Sequence, residues 1–480
     1  MYEVGQTIRM SVETEIVAAV DVLIAGGGTA GVVAAIAAAR RGASVMLVER
    51  YGSLGGMMTS GNAGLTMYTK FSGNLLENTK DHKTLATNPA ELQIAGGITR
   101  ELTNRILAEG AGIGNSGTFG RYVFTSAEDF KRIIFQMLKE AGVKLRLHSW
   151  VVDVIQENGE LKALVLESKS GRQAIVARQF IDATGDGDVA ARAGVPYYCG
   201  VTPEDLCAKE TKIGVMQSMG VMFKVGNVDL QATFDWLAEN PDRFEMQAFA
   251  RFTLAEARER FAKGEMGTLE IRMDGSPSSI QVYNLPSAGV VTLCCPSVQG
   301  NGCNVEDLTR AEVIMADMVG RWLVNIKKAI PGFQNAFLLD CPEIGVRETR
   351  HILGDYVMNI EDMYHQKKFE DCIGFGSHPI DTHPRPEWLK DPETAYPPHW
   401  YFQIPFRSLT TRGKTNLLTA GRCISATHEA AGSIRVTVEC MITGEAAGTA
   451  AALCAKANIP LRELDYVKLR ATLRESGTLC

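Results

Sequence analysis

The sequence predicts an α/β protein: a parallel sheet flanked by helices and joined by a small antiparallel sheet, with an α+β domain inserted into it. Three observations predict this. Near the N-terminus a β-branched run passes through a glycine-rich turn into an alanine-rich helix. A second strand, at 180–182, ends in another glycine turn. A third, at 416–419, does the same and leads into a long helix of small residues.

Residues 20–25 (VDVLIA) form a short apolar run of the kind that makes a buried parallel strand. They run directly into Gly26-Gly27-Gly28-Thr29-Ala30-Gly31, a G-x-G-x-x-G pattern. Segment 32–41 has strong helix propensity, and Gly42 is placed to end that helix. A second strand, 44–48, finishes on Glu49. Each part has a task in holding a dinucleotide. Gly26 permits the tight turn, Gly28 lets the backbone approach a pyrophosphate, and Gly31 lets helix and strand touch. The helix N-terminus at Thr29 and Ala30 faces the phosphate charge. Glu49 falls about 20 residues on, where an acidic side chain accepts hydrogen bonds from a ribose diol. The motif alone does not separate FAD from NAD. The segment after Glu49, from Arg50 through Gly55, Gly56, Met57 and Met58 to Gly61, is a glycine-rich loop rather than a crossover helix. Such a loop can pass close to a flavin and its diphosphate; a surface loop is the plainer reading.

Residues 98–109 read as an amphipathic helix with Leu102, Ile106 and Leu107 on one face. Residues 126–140 read as another, capped by Ser126 and ended by Gly142. Segments 144–155, 161–168 and 173–177 predict three antiparallel strands around glycine turns. They lead into a strand ending at Asp182 and the turn Ala183-Thr184-Gly185-Asp186-Gly187-Asp188. Its three aspartates lack the ligand series of a calcium loop, so a strand end abutting the cofactor is the better reading.

Residues 202–400 differ in character. Helical patterns occur at 230–240, 245–263 and 305–329, strands around Ile271, Val282 and 290–294, and a Pro- and His-rich stretch at 378–399. This suits a substrate-covering insertion. The expected organisation is a discontinuous nucleotide-binding domain (16–75, 120–200 and 401–465), a helical excursion at 76–119, a substrate or cap domain at 201–400, and a C-terminal tail at 466–480. No second G-x-G-x-x-G follows a strand, which disfavours a separate NAD(P)H domain.

Bulk properties exclude other classes. Of 480 residues, 45% are apolar and 22% charged, as in ordinary globular proteins. A net charge of -6 argues against nucleic acid or anionic membrane as the main partner. No apolar run reaches the roughly 18 residues of a membrane helix. Residues 1–18 do not read as a secretory signal, so a cytoplasmic protein is expected. The 11 cysteines are scattered, with no C-x-x-C pair, and read as reduced thiols rather than zinc or iron–sulfur ligands.

Near the C-terminus, Ala420-Gly421-Arg422 is a strand-to-turn transition, followed by His428, Gly432-Ser433-Ile434-Arg435 and a small-residue helix at 436–455. A helix beginning near Gly432 would aim unsatisfied N–H groups at an acceptor such as the N1/C2=O edge of a flavin. On these residues, together with 26–31, 49–56, 182–188, 345–350 and 401–409, the chain resembles the FAD-dependent oxidoreductases related to fumarate reductase and succinate dehydrogenase flavoproteins, over nearly its whole length. The resemblance implies a Rossmann-like FAD-binding domain with the flavin at the interface to the inserted domain. It implies Glu49, with Arg50 beside it, on the adenosine ribose, and Gly55, Gly56 and Met57 along the diphosphate and flavin. Backbone near Val152 would sit by the adenine, and Ala183, Thr184, Gly185 and Asp186 against the cofactor. Gly421 and Arg422 would form the second cofactor turn, with Ser433 and Ile434 by the pyrimidine edge. Met57 and Met58 stand where some relatives carry a histidine bonded to the flavin, so non-covalent FAD is expected.

A flavin exchanges hydride at N5, so the protein must handle the substrate's other proton and hold a polar substrate. The candidates are His399, Tyr401, Arg407, His428 and Arg435, with Arg347 and Arg350 from the central segment. His428 and Arg435 lead because they flank the turn expected to meet the flavin; His378 and His383 follow. The charged stretch 343–350 reads equally as a solvated ion-pair cluster. The expected activity is hydride transfer between a small polar organic substrate and flavin N5, with the electron donor or acceptor unassigned. A non-redox flavoprotein (isomerase or hydratase) or an idle FAD-binding subunit is the alternative. Homo-oligomerisation is left open.

Overall fold

The computed structural model describes residues 3–8, 10–61, 94–114, 123–245, 253–273, 279–383, 385–389 and 400–480. The main sheet contains β1 (Glu15–Ala25), β2 (Val45–Val48), β3 (Lys144–Arg146), β4 (Trp150–Glu157), β5 (Glu160–Ser168), β6 (Gly171–Asp182) and β7 (Leu417–Thr419). Its order is β3-β2-β1-β6-β5-β4, with β7 also paired to β6. Strands β3, β2, β1, β6 and β7 run parallel. Strands β4, β5 and β6 form an antiparallel meander. The two layers share β6, whose first half pairs with β5 and whose last residues, Phe180 to Asp182, pair with β7.

Two expected strands come out differently. Segment 144–155 is divided into β3 and β4, because His148 takes a left-handed φ of 51° and turns the chain out of the parallel layer. Segment 173–177 is not a separate strand but the start of β6, so the antiparallel sheet is continuous with the parallel one.

Helices α1 (Thr29–Arg40), α2 (Gly97–Ala108) and α3 (Ala127–Glu140) contribute to one large core. The Ser126 hydroxyl accepts the Asp129 N–H and caps α3, whose Phe130, Ile133, Ile134, Met137 and Leu138 are buried. The inserted region holds a six-stranded antiparallel sheet ordered Phe244–Glu245, Thr268–Ile271, Ile280–Asn284, Val291–Val298, Met219–Gly226 and Phe337–Asp340. Helix α4 (Val305–Ala329) covers it, placing Ala311, Met315, Val319 and Ile326 on Phe223, Leu269, Val282 and Leu293 in a second core. Of the helix expected over 245–263, Leu254–Ala262 is helical, and residues 246–252 lie outside the described residues. The helix starts where Thr253 and Glu256 close a capping box, and Phe244–Glu245 pairs as a strand instead.

The C-terminal region contains α5 (His428–Ile434) and α6 (Thr437–Ala457). The helix expected to begin near Gly432 does not do so. Gly432 lies inside α5, which Thr427 caps, and extended Val436 separates the two helices. Gly432, Ser433 and β-branched Val436 are all weak helix formers, which favours a break there. Helix α6 is buried along most of its length and lies against α1. A Cβ at Gly444 would fall 2.2 Å from the Ala30 carbonyl oxygen, and one at Gly448 would fall 2.1 Å from that of Ala34. Only glycine permits this approach. Residues Tyr466–Glu475 form a further helix, with Leu469 and Leu473 in the main core. Among the described residues no helix is long and apolar enough to cross a membrane.

Gly448→Val should separate α1 from α6 and destabilise the fold by at least about 1–3 kcal/mol, the usual cost of overpacking. Chemical denaturation would measure it, and an unchanged midpoint would contradict the packing described.

Candidate cofactor and substrate site

The N-terminal turn is shaped by contacts that exclude side chains. Gly26 has φ 97°, and a Cβ there would lie 2.4 Å from the Ala183 carbonyl oxygen. At Gly31 a Cβ would lie 1.9 Å from the Gly26 carbonyl oxygen. Gly28 differs: its φ is -68°, which any residue adopts, and its Cβ direction meets nothing within 4 Å. This is the space a diphosphate needs, directly at the N-terminus of α1, which has no side-chain cap. The Glu49 carboxylate accepts the Gly27 N–H at 2.6 Å and the Tyr51 N–H at 2.9 Å, tying the turn to the following loop. Gly55 N–H donates to the Gly27 carbonyl at 2.7 Å, so the loop carrying Gly56 and Met57 runs beside the turn. Thr437, the first residue of α6, donates its hydroxyl to Met58 Sδ at 3.6 Å. The uncapped end of α6 therefore abuts the same loop, in the place the sequence assigned to a helix starting at Gly432.

The ends of β6 and β7 close the cradle. Asp182 is fully buried and accepts from the Thr184 N–H and hydroxyl and from the Ala190 N–H. Burial still raises its pKa to about 6. Gly185 has φ 76° and Gly421 has φ 84°, both turns that favour glycine. Asp186 pairs with Arg422 at 2.6 Å, and Arg422 also donates to the Thr349 hydroxyl at 2.8 Å. Arg350 donates to the Asp186 carbonyl at 2.9 Å and pairs with Asp188 at 3.1 Å. The three aspartates thus have protein partners. The Val152 carbonyl accepts from Arg192 Nε at 3.0 Å.

A buried polar cluster lies alongside. Glu348 is 1% exposed and sits between two histidines: His351 Nε2 at 2.7 Å and His428 Nδ1 at 2.9 Å. It also accepts the Gln217 N–H at 2.7 Å. Burial alone would raise its pKa, but the hydrogen bonds from His351 and His428 outweigh it and hold the carboxyl at about 2. Burial lowers the His428 pKa, yet its hydrogen bond to Glu348 prevails and the net shift is upward. On the far side of Gln217, Arg435 donates to its Oε1 at 3.3 Å and pairs with Asp381 at 2.8 Å. Asp381 is bonded to His383 Nε2 at 2.9 Å. Burial raises Asp381, but His383, Arg435 and Arg347 together hold it well below the ordinary carboxylate range. Arg347 donates to the Ser218 carbonyl at 2.7 Å. Two residues earlier, a Cβ on Gly345 would meet Met57 Cε at 2.8 Å, which links this segment to the glycine loop. Several buried polar atoms here have no hydrogen-bond partner among the described residues: Gln217 Nε2, Ser218 Oγ, Thr382 Oγ1, Ser433 Oγ and Arg435 Nε.

The structure therefore gathers His428, Arg435 and Arg347, with Arg350 on the side facing Asp186. It does not bring Tyr401 or Arg407 to them. The Tyr401 hydroxyl bonds Lys368 at 3.0 Å, and Arg407 chelates Asp371 at 3.0 and 3.1 Å. His399 lies outside the described residues. His378 is buried, which pushes its pKa down to about 4. Ser433 and Ile434 are buried in α5. The sequence reading did not single out Glu348, Gln217 or Asp381; the three-residue spacing of Glu348 and His351 was the one available signal. It also missed Glu439, on the first turn of α6, which accepts the Ser377 and His378 N–H groups and is raised by burial to about 7.

The open cradle at Gly28, the acid at the end of β2 and the uncapped helix ends fit a dinucleotide, and define an α/β dinucleotide-binding protein. The chain belongs to the FAD dependent oxidoreductase family, whose model matches residues 21–473, and its cofactor is FAD. It is similar to the flavin-dependent brominase Bmp2, with 13% identity over 95% of this chain and 83% of that one and a TM-score of 0.45. It is also similar to p-nitrophenol 4-monooxygenase PnpA from Pseudomonas putida DLL-E4, with 12% identity, 96% and 87% coverage and a TM-score of 0.45. A geranylgeranyl bacteriochlorophyll reductase-like protein from Thermoplasma acidophilum gives 13%, 95% and 83%, and 0.41. No curated protein matches the chain.

Gly28→Val should leave the melting temperature of the FAD-free protein nearly unchanged, because its side chain enters open space, yet abolish FAD retention. Visible absorbance after desalting would check this; retained flavin would move the diphosphate elsewhere. The pH signs follow from the buried cluster. Glu348 is depressed below the ordinary glutamate value of 4.5, so its contribution to stability is complete above that pH and is lost as pH falls towards about 2. His428 is raised above 6.5, so its contribution holds below that pH and is lost as pH climbs through the folded value. Glu348→Gln should flatten the acid limb and lower the His428 pKa, followed by histidine NMR titration; an unmoved His428 resonance would show that Glu348 does not govern it.

Proposed function

We propose that the chain is a dehydrogenase or reductase that moves a hydride between a small polar organic substrate and flavin N5, with FAD held non-covalently. The observation that carries this reading is the pair Arg347 and Arg435 beside buried polar atoms without partners. Buried polar groups in native proteins are usually bonded, so this concentration is what a bound polar molecule would complete. The contact between Gly345 and Met57 ties the cluster to the glycine loop of the cofactor cradle. Bound FAD supplies the hydride-exchanging atom.

The protein's own residues have separable tasks. Arg435, held by Asp381 and Gln217, and Arg347, held by the Ser218 carbonyl, offer guanidinium donors to a substrate oxygen. His428 handles the proton. Glu348 fixes its Nδ1, and Nε2 has no hydrogen bond among the described residues, so it is the atom that would take or give a proton. The depressed pKa of Glu348 keeps it ionised through the neutral range, orienting the ring and favouring the imidazolium. Burial of His428 keeps bulk water from competing for that proton. The resemblance of the sequence to fumarate reductase and succinate dehydrogenase flavoproteins supports the same direct exchange with substrate.

Anaerobic mixing of the FAD-loaded protein with a panel of small hydroxy acids, amines and enoates should bleach or restore the flavin absorbance with at least one of them. Turnover without bleaching would instead indicate isomerase or hydratase chemistry. With the active compound, Arg435→Ala should retain FAD and slow flavin reduction by roughly 10²-fold or more, as for loss of a single preorganised donor. Reduction at the wild-type rate would remove Arg435 from the substrate site.

A further inference from the structure

A cleft of about 610 Å³ opens at the end of α1 remote from the glycine turn, between Ala37, Arg40 and Arg41, the start of α2, and the middle of α6. The length of α1, about 18 Å for its twelve residues, separates it from the diphosphate cradle. Its size lies within the range of small-molecule sites. Four arginines line it: Arg40, Arg41, Arg100 and Arg105, against the carboxyl groups of Glu101 and Glu445.

The arginines are unequally committed. Glu101 is shared, taking Arg40 at 2.6 and 2.9 Å and Arg105 at 2.9 Å, and Arg105 reaches Glu140 at 2.7 Å. Arg41 is occupied by the Thr472 carbonyl at 2.6 Å and by the Ser476 hydroxyl. Arg100 is exposed, and its guanidinium has neither a hydrogen bond nor an ion pair among the described residues. Arg41 also pairs with Glu475 at 3.7 Å, so of the four lining guanidiniums Arg100 is the one with no carboxylate partner among the described residues.

The second observation is independent of the arginines. Glu445 is 1% exposed, and its Oε2 accepts the Ile98 N–H at 3.0 Å, while Oε1 has no partner. The Thr478 hydroxyl is close but outside hydrogen-bonding geometry. Burial raises this carboxyl to about 7, so near neutrality a large fraction is uncharged and carries an O–H donor. A buried donor at the rim of an arginine-lined cleft is completed by an oxygen that accepts, which is what an anion brings.

We propose that this cleft is a second ligand site, distinct from the FAD cradle, that takes a small organic oxyanion, a phosphate monoester or a carboxylate, on the free guanidinium of Arg100 and the open carboxyl oxygen of Glu445. Its walls are α1, α2 and α6, all parts of the main core, so occupancy stabilises the folded chain by mass action.

The test uses the full chain loaded with FAD, which fills the diphosphate cradle. Inorganic phosphate and citrate are titrated separately against potassium chloride at matched ionic strength, with calorimetric binding and melting temperature as readouts. At least one anion should bind saturably and raise the melting temperature, and the one that does so identifies the oxyanion class. Exposed Arg100→Glu should weaken that binding at least about tenfold, the scale of one charge-assisted hydrogen bond, while the FAD absorbance spectrum stays unchanged. Absence of saturable binding by either anion, or equal binding by the Arg100→Glu protein, would overturn the proposal.

Discussion

Close contact between α1 and α6 sets the geometry of everything around it. The two helices come from opposite ends of the chain, yet Gly444 and Gly448 lie so near the Ala30 and Ala34 carbonyls that no side chain fits between them. Small-residue surfaces maximise van der Waals contact because nothing holds the backbones apart. The consequence is positional. Helix α1 starts at the glycine turn and α6 starts beside Met58, so locking their shafts also fixes where their N-termini point. Both carry unsatisfied N–H groups, and both ends border the loop from Gly55 to Met58. Two helix ends directed at one region create a positive field that suits an anionic dinucleotide. The fold itself, before any charged side chain is considered, builds the electrostatics of the cradle.

Charge in the neighbouring cluster is organised on a different principle. Glu348 would be unstable in its buried position as an isolated carboxylate, and two imidazoles and a backbone N–H make it tolerable. The same arrangement binds three segments: the one carrying Glu348 and His351, the one carrying Gln217, and the start of α5 carrying His428. Arg435 and Asp381 repeat the pattern one step away, and Gln217 bridges the two clusters, donating its N–H to Glu348 and accepting from Arg435 at Oε1. A substitution at any member would leave a buried charge without its partner. This is why conservative variants report on function here more cleanly than truncations do.

Much of the cradle was legible in the sequence because its requirements are local. The turn at 26–31, the strand that precedes it and the acid that ends β2 lie within some thirty residues, and each follows from backbone sterics. The break at Val436 was less legible. A run of small residues from Gly432 onward carries no turn signal strong enough to mark where one helix ends and the next begins, whereas the structure ends α5 at Ile434 and starts α6 at Thr437. The candidates divide in the same way. His428 and Arg435 stood out because they flank a recognisable turn. Tyr401 and Arg407 lie further upstream, and their partners, Lys368 and Asp371, come from a segment with no motif of its own. Glu348 looked like one member of a solvated charge cluster, since nothing in its neighbours states that two histidines, one of them 80 residues away, will enclose it.

The segment from Gly345 to His351 resolves what the two halves of the site have to do with each other. Gly345 lies against Met57 of the cofactor loop, and Arg347 turns to Ser218. Glu348 goes to His428, Thr349 to the Gly185 carbonyl and Arg422, Arg350 to Asp186 and Asp188, and His351 back to Glu348. Only its end, from Arg350 to Ile352, is a β-strand. Neighbouring Thr349 and Arg350 both bond the turn after β6, while Glu348 and His351 join each other in the buried cluster with His428. One short stretch of backbone thus carries contacts both to the turn after β6, through Thr349 and Arg350, and to the buried cluster of His428, through Glu348. A backbone this constrained on both sides holds the cluster and the cradle turn in one fixed arrangement.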